Sequence, residues 1–120
     1  MMRPLYLLTL LVLFLPLVVS LSREYGVWRP ITNTSNPYVI EIAKFAISHN
    51  NKRNNKSLVF QSVDGGDIHR SDKLDAYYKL TIVAKDEALP SRPAGKYVAG
   101  VWDQSIQLVR KLYYFRKSQN

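Results

Sequence analysis

The 120-residue sequence contains no cysteine. That excludes a disulfide framework, a thiol nucleophile and every cysteine-ligated metal site, so an exported chain of this size would have to stand on packing alone. Histidine is nearly as scarce. His49 and His69 lack the paired spacing of metal ligands, and His49 falls on the polar end of a helical pattern, where a solvated imidazole is expected. Glycine occurs five times, in no phosphate-cradling run, and no Gly-x-Ser-x-Gly word or carboxylate pair stands out. Catalysis, resident metals and cofactors therefore have no residues to work with, and no enzymatic activity is expected.

Acidic residues are also few, nine against seventeen lysines and arginines, giving a formal charge of +8. The cations are scattered, with Lys52, Arg53 and Lys56 as one group and Arg110, Lys111, Arg116 and Lys117 as another. Scattered cations read as a solvated surface, so no nucleic-acid partner is expected; weak adhesion to an acidic polysaccharide or acidic protein is compatible with them.

The one long apolar run lies at residues 5–19, broken by Pro16, preceded by Arg3 and followed by Ser20 and Ser22. A bilayer span wants about 20 apolar residues, and a positive start, a short apolar core and small residues after it are the parts of a secretory signal. Residues 1–22 are read as that signal, cleaved after Ser20 or Ser22, with an uncleaved anchor as the alternative. The expectation is a secreted, extracellular protein with no membrane attachment after cleavage and a single domain at residues 23–120. Two sequons, at Asn33 and Asn55, fall in expected loops and are candidate glycosylation sites.

Asn36-Pro37 supplies an N-cap and a first-turn proline, and residues 37–52 follow with an amphipathic pattern. Tyr38, Ile42 and Phe45 form its apolar stripe, with Val39, Ala43 and Ala46 beside it, and Glu41, Lys44, Ser48 and Lys52 opposite. Strand-like segments come next, at 58–63, 77–84, 96–102 and 107–115. In the second of these Tyr78, Leu80, Ile82 and Ala84 alternate with Tyr77, Lys79, Thr81 and Val83, as in a sheet with one better-buried face. DEALPSRPAG, with two prolines and a glycine, is a connecting loop. One helix laid across an antiparallel sheet of four or five strands is an α+β domain.

This order, and the words ITNTSNPYVIEIAKFAIS, LVF, YYKLTIVAKD and KYVAGVWD, resemble the plant cystatins, secreted inhibitors of papain-like cysteine proteinases. The resemblance covers essentially the whole chain after residue 22. It implies the cystatin-like fold and a reversible inhibitor that fills the proteinase cleft with a wedge of three points along one sheet edge. Those points are a glycine in the N-terminal strand, a first hairpin loop carrying Gln-x-Val-x-Gly and a second carrying Pro-Trp. It further implies a papain-like proteinase as the protein partner and a monomer, or a dimer made by exchanging the first hairpin.

All three points depart from the family pattern here. The glycine position reads Gly26-Val27. The literal match to Gln-x-Val-x-Gly is Gln61-Ser62-Val63-Asp64-Gly65, but it lies well before Tyr77 and Tyr78, one of which must open the next strand. Counting back from those tyrosines places the loop instead on Ser71-Asp72-Lys73-Leu74-Asp75, none of which fits the motif. The second placement is favoured because the first requires a long polar insertion where hairpin loops usually hold 2 to 5 residues. Aligning VWD leaves Ser105-Ile106 for Pro-Trp, with Trp102 before the loop, as a packing or a contact residue. The expected inhibition is accordingly weakened, and a non-inhibitory module for another protein or an acidic glycan is the alternative.

Overall fold

The computed structural model describes residues 25–118; the expected signal at residues 1–22 lies outside the described residues. The first strand, β1 (Trp28–Pro30), is followed by helix α1 (Pro37–Asn54) and four strands, β2 (Leu58–Arg70), β3 (Asp75–Asp86), β4 (Gly95–Gln104) and β5 (Val109–Lys117). The strands form one antiparallel sheet in the order β1-β2-β3-β4-β5, with α1 across one face. This is the α+β, cystatin-like arrangement expected.

The start of α1 follows from its first two residues. The Asn36 side chain accepts the Tyr38 N–H (2.8 Å), and Pro37 takes the position where a missing N–H costs nothing. The helix runs two residues beyond the sequence expectation because Asn55, not Lys52, ends it, with a left-handed backbone (φ 52°) that asparagine tolerates. Just inside that end, Asn51 acts as a surrogate strand. Its Nδ2 donates to the Leu58 carbonyl (2.9 Å) and its Oδ1 accepts the Leu58 N–H (3.1 Å), locking the helix to the start of β2.

The buried helix stripe is Val39, Ile42, Ala43, Ala46 and Ile47. Tyr38 is exposed and Phe45 half-buried, so the stripe is rotated slightly from the one expected. Ala43 and Ala46 bring the helix close to the sheet, where Leu80, Ile82 and Ala84 of β3 and Ala99 and Val101 of β4 complete the core. Each isoleucine or leucine so buried contributes about 1.5–3 kcal/mol. The sheet's other face carries Tyr77, Lys79, Thr81 and Val83, as the alternation predicts.

Two register shifts interrupt β2, between Phe60 and Ser62 and between Val63 and Gly65, leaving Gln61 and Asp64 unpaired. Asp64 directly precedes the Gly65-Gly66 pair, and Gln61 lies three residues further back. Gly66 is required by close approach, because a Cβ there would run into the Lys79 carbonyl oxygen.

Candidate functional site

Three pieces of chain meet at one end of the sheet. The turn between β2 and β3 is residues 71–74, the turn between β4 and β5 is residues 105–108, and Gly26 precedes β1 at the same end, its N–H donating to the Arg70 carbonyl (2.8 Å). The structure thus places Ser71, Asp72, Lys73 and Leu74 at a hairpin tip and Asp75 at the first position of β3, opposite Gln104. Gln61, Ser62, Val63, Asp64 and Gly65 lie inside β2, with Val63 pointing into the core.

The first turn is held by its own carboxylate. Asp72 Oδ1 accepts the backbone N–H groups of Leu74 (2.7 Å) and Asp75 (2.9 Å), and the Ser71 N–H closes onto the Asp75 carbonyl (3.1 Å). Asp72 therefore faces its own loop, leaving Lys73 and Leu74 exposed at the tip. Asp75 has one carboxylate oxygen buried without a hydrogen-bond partner, a polar cost carried at the base of the loop.

The second turn is fastened to the first. Ser105 donates to the Leu74 carbonyl from both its N–H (3.0 Å) and its Oγ (3.2 Å). Beyond Ser105 the turn presents Ile106, 67% exposed, and Leu108, 89% exposed. Leu108 has φ 52°, a left-handed conformation that a side chain with a Cβ adopts only at a cost of about 1–2 kcal/mol. Leu108 was not among the residues singled out from sequence, since nothing local marks a leucine for that geometry. Trp102 is half-buried within β4, paired with Tyr77, and so sits behind the turn rather than on it.

Gly26 also has a left-handed backbone, φ 79°, with open space around it. It turns the chain so that Val27 and Trp28 stand exposed beside the first hairpin. The edge is thus lined by apolar side chains from three separate segments: Val27, Leu74, Ile106 and Leu108.

A polar network behind the edge braces the second hairpin against the helix. Asp103, 5% exposed, accepts from Arg110 Nε (2.7 Å) and from the Tyr38 hydroxyl, while Arg110 also reaches Glu41 (3.3 Å). Arg110 stacks over the Tyr38 ring as well, 5.3 Å from its centroid. Burial lowers the guanidinium's proton affinity, but hydrogen bonds to Asp103, Tyr38 and Glu41 outweigh it and hold the group above its ordinary range. The Tyr38 phenol is raised, first by burial and then by its bond to Asp103. Asp103 and Arg110 flank the turn at residues 105–108, so the network ties the base of that turn to the helix.

The sequons lie apart from this edge's tips. Asn33 is exposed in the β1–α1 connection, its Oδ1 accepting the Ser35 N–H (3.0 Å), and Asn55 is exposed at the helix C-terminus. Among the described residues no group of histidine and carboxylate side chains could hold a metal.

A sheet edge carrying exposed apolar tips from three segments is the kind of surface found in the class of proteins that bind other proteins. Comparison with known proteins gives that class a family. Residues 31–118 match the family described as aspartic acid proteinase inhibitor. The chain is 36% identical to cysteine proteinase inhibitor 5 of Arabidopsis thaliana over 116 residues, covering 97% of the chain and 91% of the relative. It is 40% identical to cysteine proteinase inhibitor 1 of Actinidia chinensis var. chinensis, over 77% of the chain and 74% of the relative. It is 32% identical to cysteine proteinase inhibitor 6 of Oryza sativa subsp. japonica, over 78% of the chain and 80% of the relative. The chain belongs to the plant cystatin family of proteinase inhibitors, and it is not an enzyme.

Proposed function

We propose that this protein is an exported, reversible inhibitor of papain-like cysteine proteinases that works as a wedge and is weakened by its departures from the family pattern. The observation that carries the reading is the convergence of Val27, Leu74, Ile106 and Leu108 on one sheet edge. Such tips can enter a cleft with little to desolvate. The hydrogen bonds from Ser105 to Leu74 make the two loops one surface, which lowers the entropy lost on docking.

Weakness has two sources at the same edge. Ile106 stands where the family carries tryptophan, and losing one aromatic anchor commonly costs about 2 kcal/mol or more. Lys73 must surrender water on entering the cleft, and a charge left unpaired there costs about 2 kcal/mol or more. Together these correspond to papain affinity about a thousandfold below that of a member with an intact edge. Titration of papain with the protein and with Ile106→Trp tests this, because that substitution restores the anchor and leaves the Ser105 hydrogen bonds in place. The variant is expected to inhibit at least tenfold better. Nanomolar inhibition by the unaltered protein, with no gain from Ile106→Trp, refutes the weakening.

A second reading is favoured by the description of the matched family, which names aspartic acid proteinases. On that reading the altered edge is retargeted. Pepsin titrated in parallel separates the two, since an edge suited to an aspartic proteinase inhibits pepsin while leaving papain active, and Ile106→Trp does not improve it.

A further inference from the structure

The sheet face turned away from α1 carries a band of aromatic rings that the inhibitory edge does not use. Directly paired residues share a face, and here they run Trp28, His69, Tyr77 and Trp102 from β1 to β4. The rings touch in sequence: Trp28 to His69 (5.2 Å between centroids), His69 to Tyr77 (6.3 Å) and Tyr77 to Tyr113 (6.0 Å). A register shift in the β4–β5 ladder lies between Gly100 and Val101, which pair with Tyr114 and Leu112, so Tyr113 is the extra residue. Leu112 goes into the core while Tyr113 and Tyr114 both stay exposed, at 51% and 38%. Gly100 is what lets Tyr114 lie down. A Cβ at that position would meet the ring, which covers the glycine and floors a shallow depression between β3 and β5.

Cations edge this band. Lys111 lies over the Tyr113 ring (5.3 Å) and Arg116 over Tyr114 (5.4 Å), and Lys79 pairs with Gly100 beside them. Among the described residues no carboxylate lies within ion-pair distance of any of the three. β3 and β4 are paired on both sides, so on the face itself recognition uses rings and charged tips rather than backbone. Asp67 stands opposite Lys79 in the β2–β3 ladder without closing an ion pair, and exposed rings interleaved with these three cations fit an extended ligand that has flat apolar faces and repeated anionic groups.

We propose that this open face binds an acidic polysaccharide, a linear polyuronate, whose carboxylates meet Lys79 and draw Lys111 and Arg116 off the rings they cover, so that its pyranose rings pack on Tyr77, Tyr113 and Tyr114. The site is separate from the loop tips and the inference does not depend on the inhibitor reading, because binding is measured with no proteinase present. Calorimetry of the purified protein with oligogalacturonate is the test, with the fold of each variant checked by its circular dichroism and unfolding midpoint. Tyr113→Ala/Tyr114→Ala leaves the net charge unchanged and is expected to weaken binding at least tenfold, while Tyr113→Phe/Tyr114→Phe keeps the rings and stays within about threefold. Lys79→Gln/Arg116→Gln is expected to weaken binding severalfold more than Lys52→Gln/Lys56→Gln, which removes the same charge from the helix end. Equal losses from the two lysine and arginine pairs, or none from the alanine pair, would show mere polyanion adhesion and overturn the proposal. So would tighter binding of single-stranded DNA of matched charge that is lost in the same alanine variant.

Discussion

At the scale of single residues, two adjacent glycines in β2 have opposite reasons to exist. A Cβ on Gly65 meets nothing within 4 Å, whereas one on Gly66 collides with the backbone of β3 at Lys79, which cannot rotate away as a side chain could. Gly66→Ala is therefore expected to cost about 1–3 kcal/mol, and Gly65→Ala less than about 1 kcal/mol, by urea unfolding. Equal costs would show that β3 yields at that point. Leu108 poses the reverse case, a residue whose backbone is strained and whose side chain touches solvent. Leu108→Gly relieves the left-handed strain and is expected to raise stability by about 0.5–1 kcal/mol while weakening proteinase inhibition at least threefold. A variant that is more stable and inhibits equally well would remove Leu108 from the contact surface.

At the scale of elements, the helix and the second hairpin are joined by residues 65 positions apart, Tyr38 and Asp103, with Arg110 closing the triangle. Removing the carboxylate takes away the closest partner of a guanidinium whose side chain is only 21% exposed and leaves it the longer contact to the exposed Glu41. A fully buried pair broken in this way costs about 3–5 kcal/mol, and partial access to water brings the expectation for Asp103→Ala to about 2–3 kcal/mol. Tyr38→Phe removes one hydrogen bond and should cost about 1 kcal/mol. If the network positions the turn at residues 105–108, Asp103→Ala also weakens inhibition under conditions where it remains folded; stability lost with inhibition intact would limit the network to holding the fold. What the sequence disclosed follows the same division between local and distant. Asn36-Pro37 marks the helix start because capping is decided within three residues, and the alternation at Tyr77 to Ala84 marks β3 because a strand repeats every two. The position of the first turn was legible from strand length, since β3 had to begin near Tyr77. The carboxylate lock of Asp72, the unpaired Gln61 and Asp64 and the left-handed Leu108 were not legible, because each depends on backbone angles that no nearby residue dictates. The Tyr38–Asp103–Arg110 network was hidden for a different reason: its members come together only once the sheet has formed.

At the scale of the whole molecule, a chain with a formal charge of +8 and no disulfide depends on its core, and that core contains an ionisable group. Tyr78, 4% exposed on the helix-facing side of β3, has its phenol pushed up to about 12 by burial. A folded-state value above the unfolded one near 10 means that the fold favours the neutral form. Its contribution is fully present below pH 10 and is lost as the pH rises through about 12, because unfolding then releases a proton the native state retains. The loss approaches about 3 kcal/mol across that window, at about 1.4 kcal/mol per pH unit of difference. Repulsion within the positive surface also varies with pH, so the unaltered protein alone cannot isolate the tyrosine. Tyr78→Phe can. Every other group is common to the two proteins, so the difference in urea midpoint between them should be constant up to about pH 10 and then move steadily in favour of the variant, with tyrosinate absorbance of the unaltered protein rising as it unfolds. Parallel loss of stability in both proteins to pH 12 would mean that water reaches the Tyr78 hydroxyl and that burial does not hold its proton.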